Sequence, residues 1–250
     1  MFNIAMYDSL EYDQAKEQNL AGFMPLFCFA QAVGIMMIIL TGYWMSQWGG
    51  FNWDNGGIVF NYHPFFMILS LVFFYGDAIL LYRVCRRYRK WPVKVAHAIV
   101  NFSALIFAII GVTAAFTSHN LNKIPNLYSL HSWIGLLTFL LFISQWVLSF
   151  LTFLYPGGSD AMRARMMPVH KYLGLFLFFC SLVSAISGIT EKNFFSKDPA
   201  YSLLQPREMA GNFIGMLVML FGGLVFYLVH NDEYKRIEGS PSQEPIVGSR

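Results

Sequence analysis

Six long apolar stretches constrain this chain more than any other feature. Each can cross a bilayer as a helix, which takes ~20 mostly apolar residues. Hydrophobic residues make up 56% of the 250 positions and charged residues only 12%, whereas roughly 25% of the residues in a soluble domain are charged. A soluble fold would lack polar surface, so the sequence predicts an all-α integral membrane protein. Its six expected transmembrane helices span 22–45, 64–84, 95–116, 128–154, 169–188 and 210–229.

The lysine and arginine residues predict the orientation, because short loops rich in these residues stay on the cytoplasmic side. The second and fourth loops, with the adjoining helix ends, carry nine: Arg83, Arg86, Arg87, Arg89, Lys90, Lys94, Arg163, Arg165 and Lys171. The opposite loops carry four: Lys123, Lys192, Lys197 and Arg207. We therefore expect a cytoplasmic N-terminal segment 1–21, a six-helix domain 22–230 and a disordered cytoplasmic tail 231–250.

Four histidines open four consecutive predicted helices, and ionisable residues in membrane spans are functional candidates by default. Consecutive helices run in opposite directions, so helices that are two apart in sequence start on the same side. His63 and His131 are therefore expected at one depth, on the non-cytoplasmic side. His97 and His170 are expected at another depth, on the cytoplasmic side. The second to fifth spans would then form a four-helix core with one histidine pair near each face.

Two histidine pairs at separate depths are typical of two bis-histidine haems, since each low-spin haem takes axial nitrogens from two facing helices. Gly135 and Gly174 follow His131 and His170 by four residues, which leaves room on that helix face for a flat macrocycle. A lone histidine at a helix start is more often an interfacial polar residue. Zinc and copper ions are the alternatives to haem, but each usually takes three or four convergent side chains as ligands. The pattern favours two non-covalently bound haem b groups.

Two further polar residues lie within the predicted spans. Asp77 and Gln145 each follow the histidine of their own span by 14 residues. At ~1.5 Å per residue, both reach the depth of the cytoplasmic pair. They either hydrogen-bond a ligand ring or a haem carboxylate, or they form an ordinary polar contact between helices.

Four short segments resemble one known family: FNYHP at 60–64, LYR at 81–83, NLYSLHSW at 126–133 and PVH at 168–170. With them the chain resembles the animal-type cytochrome b561 family over about 22–236. Members are six-helix, di-haem membrane proteins that move electrons from cytosolic ascorbate across the membrane. The resemblance implies the haem pairs His63/His131 and His97/His170, which helix direction gives independently.

The resemblance also implies two substrate sites. A cytosolic ascorbate site would use Lys90, Lys94 and Arg163, with Arg83 of the same basic region. Their cations suit a monoanion such as ascorbate. On the other side, His119 and Asn120 resemble the acceptor site of the ferric-reducing and lysosomal members. An ordinary loop histidine explains His119 equally well.

These features lead us to expect an ascorbate-dependent transmembrane oxidoreductase in which the haems carry the chemistry and no side chain makes bonds. Ferric chelate is the first choice of acceptor and monodehydroascorbate the second. We expect a homodimer in a plasma, lysosomal, endosomal or secretory-vesicle membrane, with no nucleic-acid partner. A quinol-linked di-haem cytochrome would leave the basic cluster unexplained. A metal transporter would carry acidic residues at mid-membrane, where this chain offers only Asp77.

Overall fold

A computed structural model describes residues 20–195 and 201–236. Within these residues there is no strand, and six helices are long and apolar enough to cross a membrane. They are α1 (Phe23–Gln47), α2 (Val59–Val84), α3 (Lys90–Leu121), α4 (Leu130–Leu154), α5 (Asp160–Phe194) and α6 (Pro206–His230). The predicted all-α membrane fold is confirmed.

The helices pack in sequence-adjacent pairs, with one exception. Helix α2 packs on α3 and α4 packs on α5, while α1 packs along α6, which also contacts α5. Small residues allow close approach, as is usual between membrane helices. A Cβ on Gly76 of α2 would lie 2.6 Å from the Phe221 ring of α6, so a larger residue would push these two helices apart.

The connection between α1 and α2 is fixed by one amide. Asn61 is fully buried at the start of α2. Its Nδ2 donates to the carbonyls of Trp48 at 3.1 Å and Gly50 at 2.8 Å, both just beyond the end of α1. This explains the polar residue in the FNYHP segment, and it sets the position of His63 two residues later.

Two helices begin much earlier than their apolar stretches. Helix α3 starts at Lys90 and α5 at Asp160, where the Ser159 side chain caps the helix by accepting from the Met162 backbone N–H. The prediction that His97 and His170 lie in first helical turns is therefore wrong. Hydropathy marks only the apolar part of a helix, whereas lysine and arginine are good helix formers that extend it into the aqueous phase.

The longer helices put the basic residues on the same helices as two histidines. Residues three or four apart on a helix lie on one face. Lys90, Lys94 and His97 therefore follow one another along α3, and Arg163 precedes His170 by two turns on α5. We call this end of the bundle the basic end, and the opposite end, where α2 and α4 begin, the far end.

Two predictions about non-helical segments are also changed. His119 and Asn120 lie in the last turn of α3 and not in a loop. In the tail, Asp232–Tyr234 forms a short 3₁₀ turn, and the Tyr234 ring packs edge-on against Phe23 at a centroid distance of 5.2 Å. The expected disorder is therefore wrong for residues 231–236. The predictions for 1–19 and 237–250 lie outside the described residues.

Candidate functional site

The four histidines form two ring pairs, one at each end of the bundle. The centroids of His63 and His131 are 5.9 Å apart, and those of His97 and His170 are 6.1 Å apart. A metal bound by two imidazole nitrogens at about 2 Å each would place the ring centroids roughly 6 Å apart. The structure thus brings together the pairs that helix direction predicts, at a separation that one metal ion can bridge.

Hydrogen bonds at Nδ1 orient all four rings. The backbone carbonyls of Gly111, Ala78 and Ser184 accept from His63 at 3.0 Å, His97 at 2.8 Å and His131 at 2.9 Å, respectively. A carbonyl can only accept, so Nδ1 carries the proton in these three rings. That leaves Nε2 unprotonated and able to bind a metal, as in other metal-binding histidines.

The fourth ring is held by a side chain. His170 Nδ1 lies 2.9 Å from the Ser149 hydroxyl of α4. The ring also contacts Phe153 at a centroid distance of 5.5 Å, and its partner His97 contacts Tyr82 at the same distance. Both basic-end rings are therefore held by a hydrogen bond at Nδ1 and an aromatic contact.

The far-end pair lines a cavity, which we call the far cavity. Its wall is mostly apolar, and it includes Pro64, Met67, Leu71, Val112, Ala115, Phe116, Leu136 and Ala185. The His131 ring packs closely on α5 at Gly188. A Cβ on this glycine would be only 2.5 Å from His131 Cε1. Gly135 also lines this cavity, but a Cβ there would lie 2.9 Å from Ser184 Oγ of α5, so its small size serves the close packing of α4 on α5.

These residues fit a haem group. Each ring pair has the bridging separation, and three of the four Nε2 atoms are made available by a carbonyl at Nδ1. The far cavity adds apolar walls beside one pair. A zinc or copper site of three or more ligands is not present in the described residues, where no such group of His, Cys, Asp or Glu side chains occurs.

Three of the four predicted ascorbate-binding residues lie together at the basic end. Lys94 is within electrostatic reach of both Arg163 and Lys90. Its Nζ donates to the Phe153 carbonyl at 3.0 Å, and the Phe153 ring packs on His170. These three cations therefore lie close together at the end of the bundle that holds the basic-end pair.

Arg83 does not belong to this group. Its guanidinium donates to the carbonyls of Val229 and Asn231 at the end of α6. Cationic side chains stabilise helix C-termini because the last carbonyls lack intrahelical partners. The structure therefore gives Arg83 a role as a helix cap, which separates it from the predicted ascorbate site.

At the far end, His119 lines the far cavity between two aromatic rings. It stacks on Phe60 at 6.2 Å and on Tyr128 at 6.1 Å between centroids. Asn120 is exposed and holds Asn126, whose Nδ2 donates to Asn120 Oδ1 at 2.9 Å. Asn126 lines the cavity, so Asn120 helps to position one residue of the cavity wall.

Glu191, an acidic residue, also lines the far cavity. Glu191 accepts from the Ser129 hydroxyl at 2.9 Å. Tyr128, in the segment between α3 and α4, also hydrogen-bonds this carboxylate. Burial raises the pKa of the Tyr128 phenol to about 12, and the hydrogen bond to Glu191 adds to the rise. Tyr128 therefore stays protonated at physiological pH.

Comparison with known proteins identifies the family of the chain. The model of the eukaryotic cytochrome b561 family matches residues 62–196, a segment that contains all four paired histidines. The chain belongs to the cytochrome b561 family.

A bovine relative named transmembrane ascorbate-dependent reductase is 36% identical over 224 residues, covering 89% of this chain and 88% of the relative. Two relatives named plasma membrane ascorbate-dependent reductase are each 40% identical. The rat protein aligns over 88% of this chain and 78% of its own length, and the Xenopus laevis protein over 93% and 84%.

Several site residues of this cytochrome b561 were not found from its sequence. Gly111 and Ala78 act through backbone carbonyls, and Ser184 does the same for His131. Gly188 acts by lacking a side chain. No side-chain chemistry marks such positions, although a glycine inside a membrane helix does signal close packing.

Asp77 and Gln145 have different surroundings despite their equal spacing from a histidine. Asp77 accepts from Gln31 Nε2 of α1 at 2.6 Å, so its contact is interhelical. The helix is wider than a regular α-helix over Ile68–Phe74. The relative directions of the His63 and Asp77 side chains therefore differ from those that a regular α-helix would give. Gln145 lies one turn before Ser149, and its buried Oε1 has no partner among the described residues. Gln145 is thus the better candidate for a contact with a bound group.

Proposed function

We propose that this chain is a transmembrane oxidoreductase that moves electrons from cytosolic ascorbate to an acceptor on the opposite side of the membrane. Its cofactors are two haem b groups, one held by His97 and His170 and the other by His63 and His131. When bound, the haems supply the one-electron chemistry, and the protein sets their position and potential. The observation that carries the proposal is the pair of ring separations, 5.9 and 6.1 Å, at opposite ends of one bundle.

Ascorbate is proposed to bind at the basic end, which faces the cytosol. Ascorbate is a monoanion at neutral pH, and clustered cations raise the local concentration of such a substrate. It gives up one electron and one proton and becomes monodehydroascorbate. Lys90, Lys94 and Arg163 hold the anion beside the basic-end pair, and Lys94 is fixed there by the Phe153 carbonyl.

The acceptor is proposed to bind at the mouth of the far cavity, where His119 lies between Phe60 and Tyr128. Ferric chelate is our first choice, because an imidazole can bind a metal ion, and Tyr128, which stacks on His119, hydrogen-bonds the carboxylate of Glu191. The ferric ion takes one electron and leaves as ferrous ion, which balances the electron lost by ascorbate. Monodehydroascorbate is the alternative acceptor.

A visible spectrum of the purified protein tests the proposal. We expect the bands of b-type haem, a haem content of two per chain and full reduction by ascorbate. A colourless protein, or bands that ascorbate does not change, would contradict it. Vesicles loaded with ascorbate then compare the acceptors, and faster reduction of external ferric citrate than of monodehydroascorbate would support the first choice.

Replacing Lys94 with glutamine should weaken ascorbate binding. Losing one of three clustered cations lowers the local concentration of the anion, so KM for ascorbate should rise about tenfold with kcat nearly unchanged. The measurement is steady-state ascorbate oxidation at two ionic strengths. Because salt screens exposed charges, KM should depend less on salt in the variant than in the original chain.

Two further variants separate charge from structure. Lys94→Arg keeps a cation that can still reach the Phe153 carbonyl, and its KM should stay within about threefold of the original. Arg165→Gln removes an exposed cation two residues from Arg163, and it should leave KM unchanged. An equal rise in KM for Arg165→Gln and Lys94→Gln would show that general surface charge, and not this site, attracts ascorbate.

A further inference from the structure

A buried lysine in the wall of the far cavity lacks an acidic partner among residues 20–195 and 201–236. Lys192, two residues before the end of α5, is only 8% exposed. It lines the same cavity as His63 and His131, and its charge is within electrostatic reach of the His63 ring. A buried charge is costly unless a counter-charge or hydrogen bonds compensate for it.

The contacts of Lys192 hold the ammonium in place without neutralising it. Its Nζ lies 4.3 Å from the centroid of the Trp48 ring and 4.8 Å from that of Phe60. One hydrogen bond runs to Asn61 Oδ1 at 3.4 Å. An ammonium group carries three donors, and aromatic faces attract a cation without adding negative charge. Two donors therefore remain for a group inside the cavity.

The acidic side chains around Lys192 are engaged elsewhere. Glu208 is 1% exposed and pairs with Arg207, whose Nη2 lies 2.6 Å from Glu208 Oε1. Arg207 also stacks on Trp48 at 4.0 Å, so it adds a second cation near Lys192. Glu191, on the cavity wall, is held by Ser129 and Tyr128. The described charges around Trp48 therefore leave one positive charge in excess.

Asn61 makes this arrangement rigid. Its Nδ2 is committed to the Trp48 and Gly50 carbonyls, so its Oδ1 is turned toward Lys192. Trp48 and Phe60 then fix the ammonium from two sides. A cation that is already oriented binds an anion without paying the entropy of ordering a flexible side chain.

We propose that Lys192 binds an anionic oxygen inside the far cavity, an inference that rests on the proposed function. This chemistry has two sources there. One is a carboxylate of the haem held by His63 and His131. The other is the anionic electron acceptor itself, such as ferric citrate.

The test compares the purified holoprotein with Lys192→Gln, Lys192→Arg and Lys123→Gln. Glutamine keeps a donor for Asn61 but removes the charge, and arginine keeps the charge. Lys123 is an exposed lysine at the same end and serves as the matched control. Three quantities are measured: the haem content, the midpoint potential of each haem by spectroelectrochemistry, and KM for ferric citrate. Two haems that ascorbate reduces in the original and Lys123→Gln proteins would support the proposed function whatever the Lys192 variants show, and their absence would contradict that function itself.

If Lys192 pairs with a haem carboxylate, Lys192→Gln should lower the potential of the far-end haem alone. We expect about a tenfold change in its reduction equilibrium, which is 59 mV for one electron. The shift should vanish when the protein is reconstituted with haem dimethyl ester. If Lys192 binds the acceptor, KM for ferric citrate should rise about tenfold with both potentials unchanged.

The remaining outcomes also decide the question. Unchanged potentials and an unchanged KM in a Lys192→Gln protein that retains both haems would overturn the proposal. Loss of the far-end haem in Lys192→Gln but not in Lys192→Arg supports a charge interaction. Loss in both variants would mean that side-chain shape and not charge matters, and this too would overturn the proposal.

Discussion

Replacing His97 with leucine should remove one of the two haems and abolish electron entry from ascorbate. His97 supplies one of the two nitrogens of the basic-end pair, and leucine fills a similar volume without a ligand atom. Loss of a residue that only orients a metal ligand already costs 10–100-fold in affinity or activity. Loss of the ligand itself should therefore lower the rate of ascorbate oxidation by more than about a hundredfold.

Pyridine haemochrome content and stopped-flow reduction by ascorbate are the measurements for His97→Leu. We expect half the original haem, with the remaining spectrum that of the far-end haem. His230→Leu is the matched control, because His230 ends α6 at the same basic end, and within the described part of the chain its Nδ1 bonds only the Phe226 carbonyl, at 2.9 Å. If His97→Leu retained both haems and its reduction by ascorbate, the assignment of His97 and His170 as a ligand pair would be wrong.

The pairing of the histidines was predictable from sequence because it depends only on helix order and direction. Antiparallel neighbours put His63 with His131 and His97 with His170 whatever the side-chain packing. The six-helix fold was also predictable, since each span is marked by its own apolar stretch. Both predictions depend on the number, order and alternating direction of the helices and not on details of side-chain packing.

The ends of the helices were not predictable from hydropathy, because charged residues continue a helix after it leaves the apolar phase. Lys90 and Asp160 begin helices well before the apolar stretches at 95 and 169. The Ser159 cap was a usable signal, since serine is preferred at helix N-termini. With its cap at Ser159, the helix that contains His170 also contains Arg163.

The separate roles of the basic residues required three-dimensional information. Arg83 and Lys94 both belong to one basic region of the sequence, yet Arg83 caps α6 while Lys94 lies beside the basic-end pair. Lys192 was counted only as a charge in a loop that determines orientation. Its aromatic neighbours, Trp48 just after α1 and Phe60 in α2, are far away in sequence, so no local pattern distinguishes it from an exposed lysine.

Replacing Gly188 with alanine should remove the far-end haem and leave the basic-end haem in place. The His131 ring lies between two positions one turn apart on α5: its Nδ1 donates to the Ser184 carbonyl at 2.9 Å, and Gly188 makes room for Cε1. An added Cβ would lie 2.5 Å from His131 Cε1 and 2.8 Å from Nδ1. The ring must then move away from α5, which breaks its hydrogen bond and changes the separation from His63.

The expected defect in Gly188→Ala is local, because alanine in a helix interior is favoured over glycine by up to about 1 kcal/mol. The helix itself should therefore become more stable while affinity for the far-end haem falls by about 10–100-fold, as it does when the orientation of a metal ligand is lost. The basic-end haem should still be reduced by ascorbate, but ferric citrate on the far side should no longer be reduced.

Gly223→Ala provides the comparison, since a Cβ at Gly223 of α6 would meet nothing within 4 Å. This variant gains the same helix propensity and should keep both haems and full transmembrane activity. Haem content, thermal stability and reduction of external ferric citrate are measured for both proteins. Because the two substitutions differ only in what the new methyl group meets, a Gly188→Ala protein with normal haem would show that His131 does not need its position on α5.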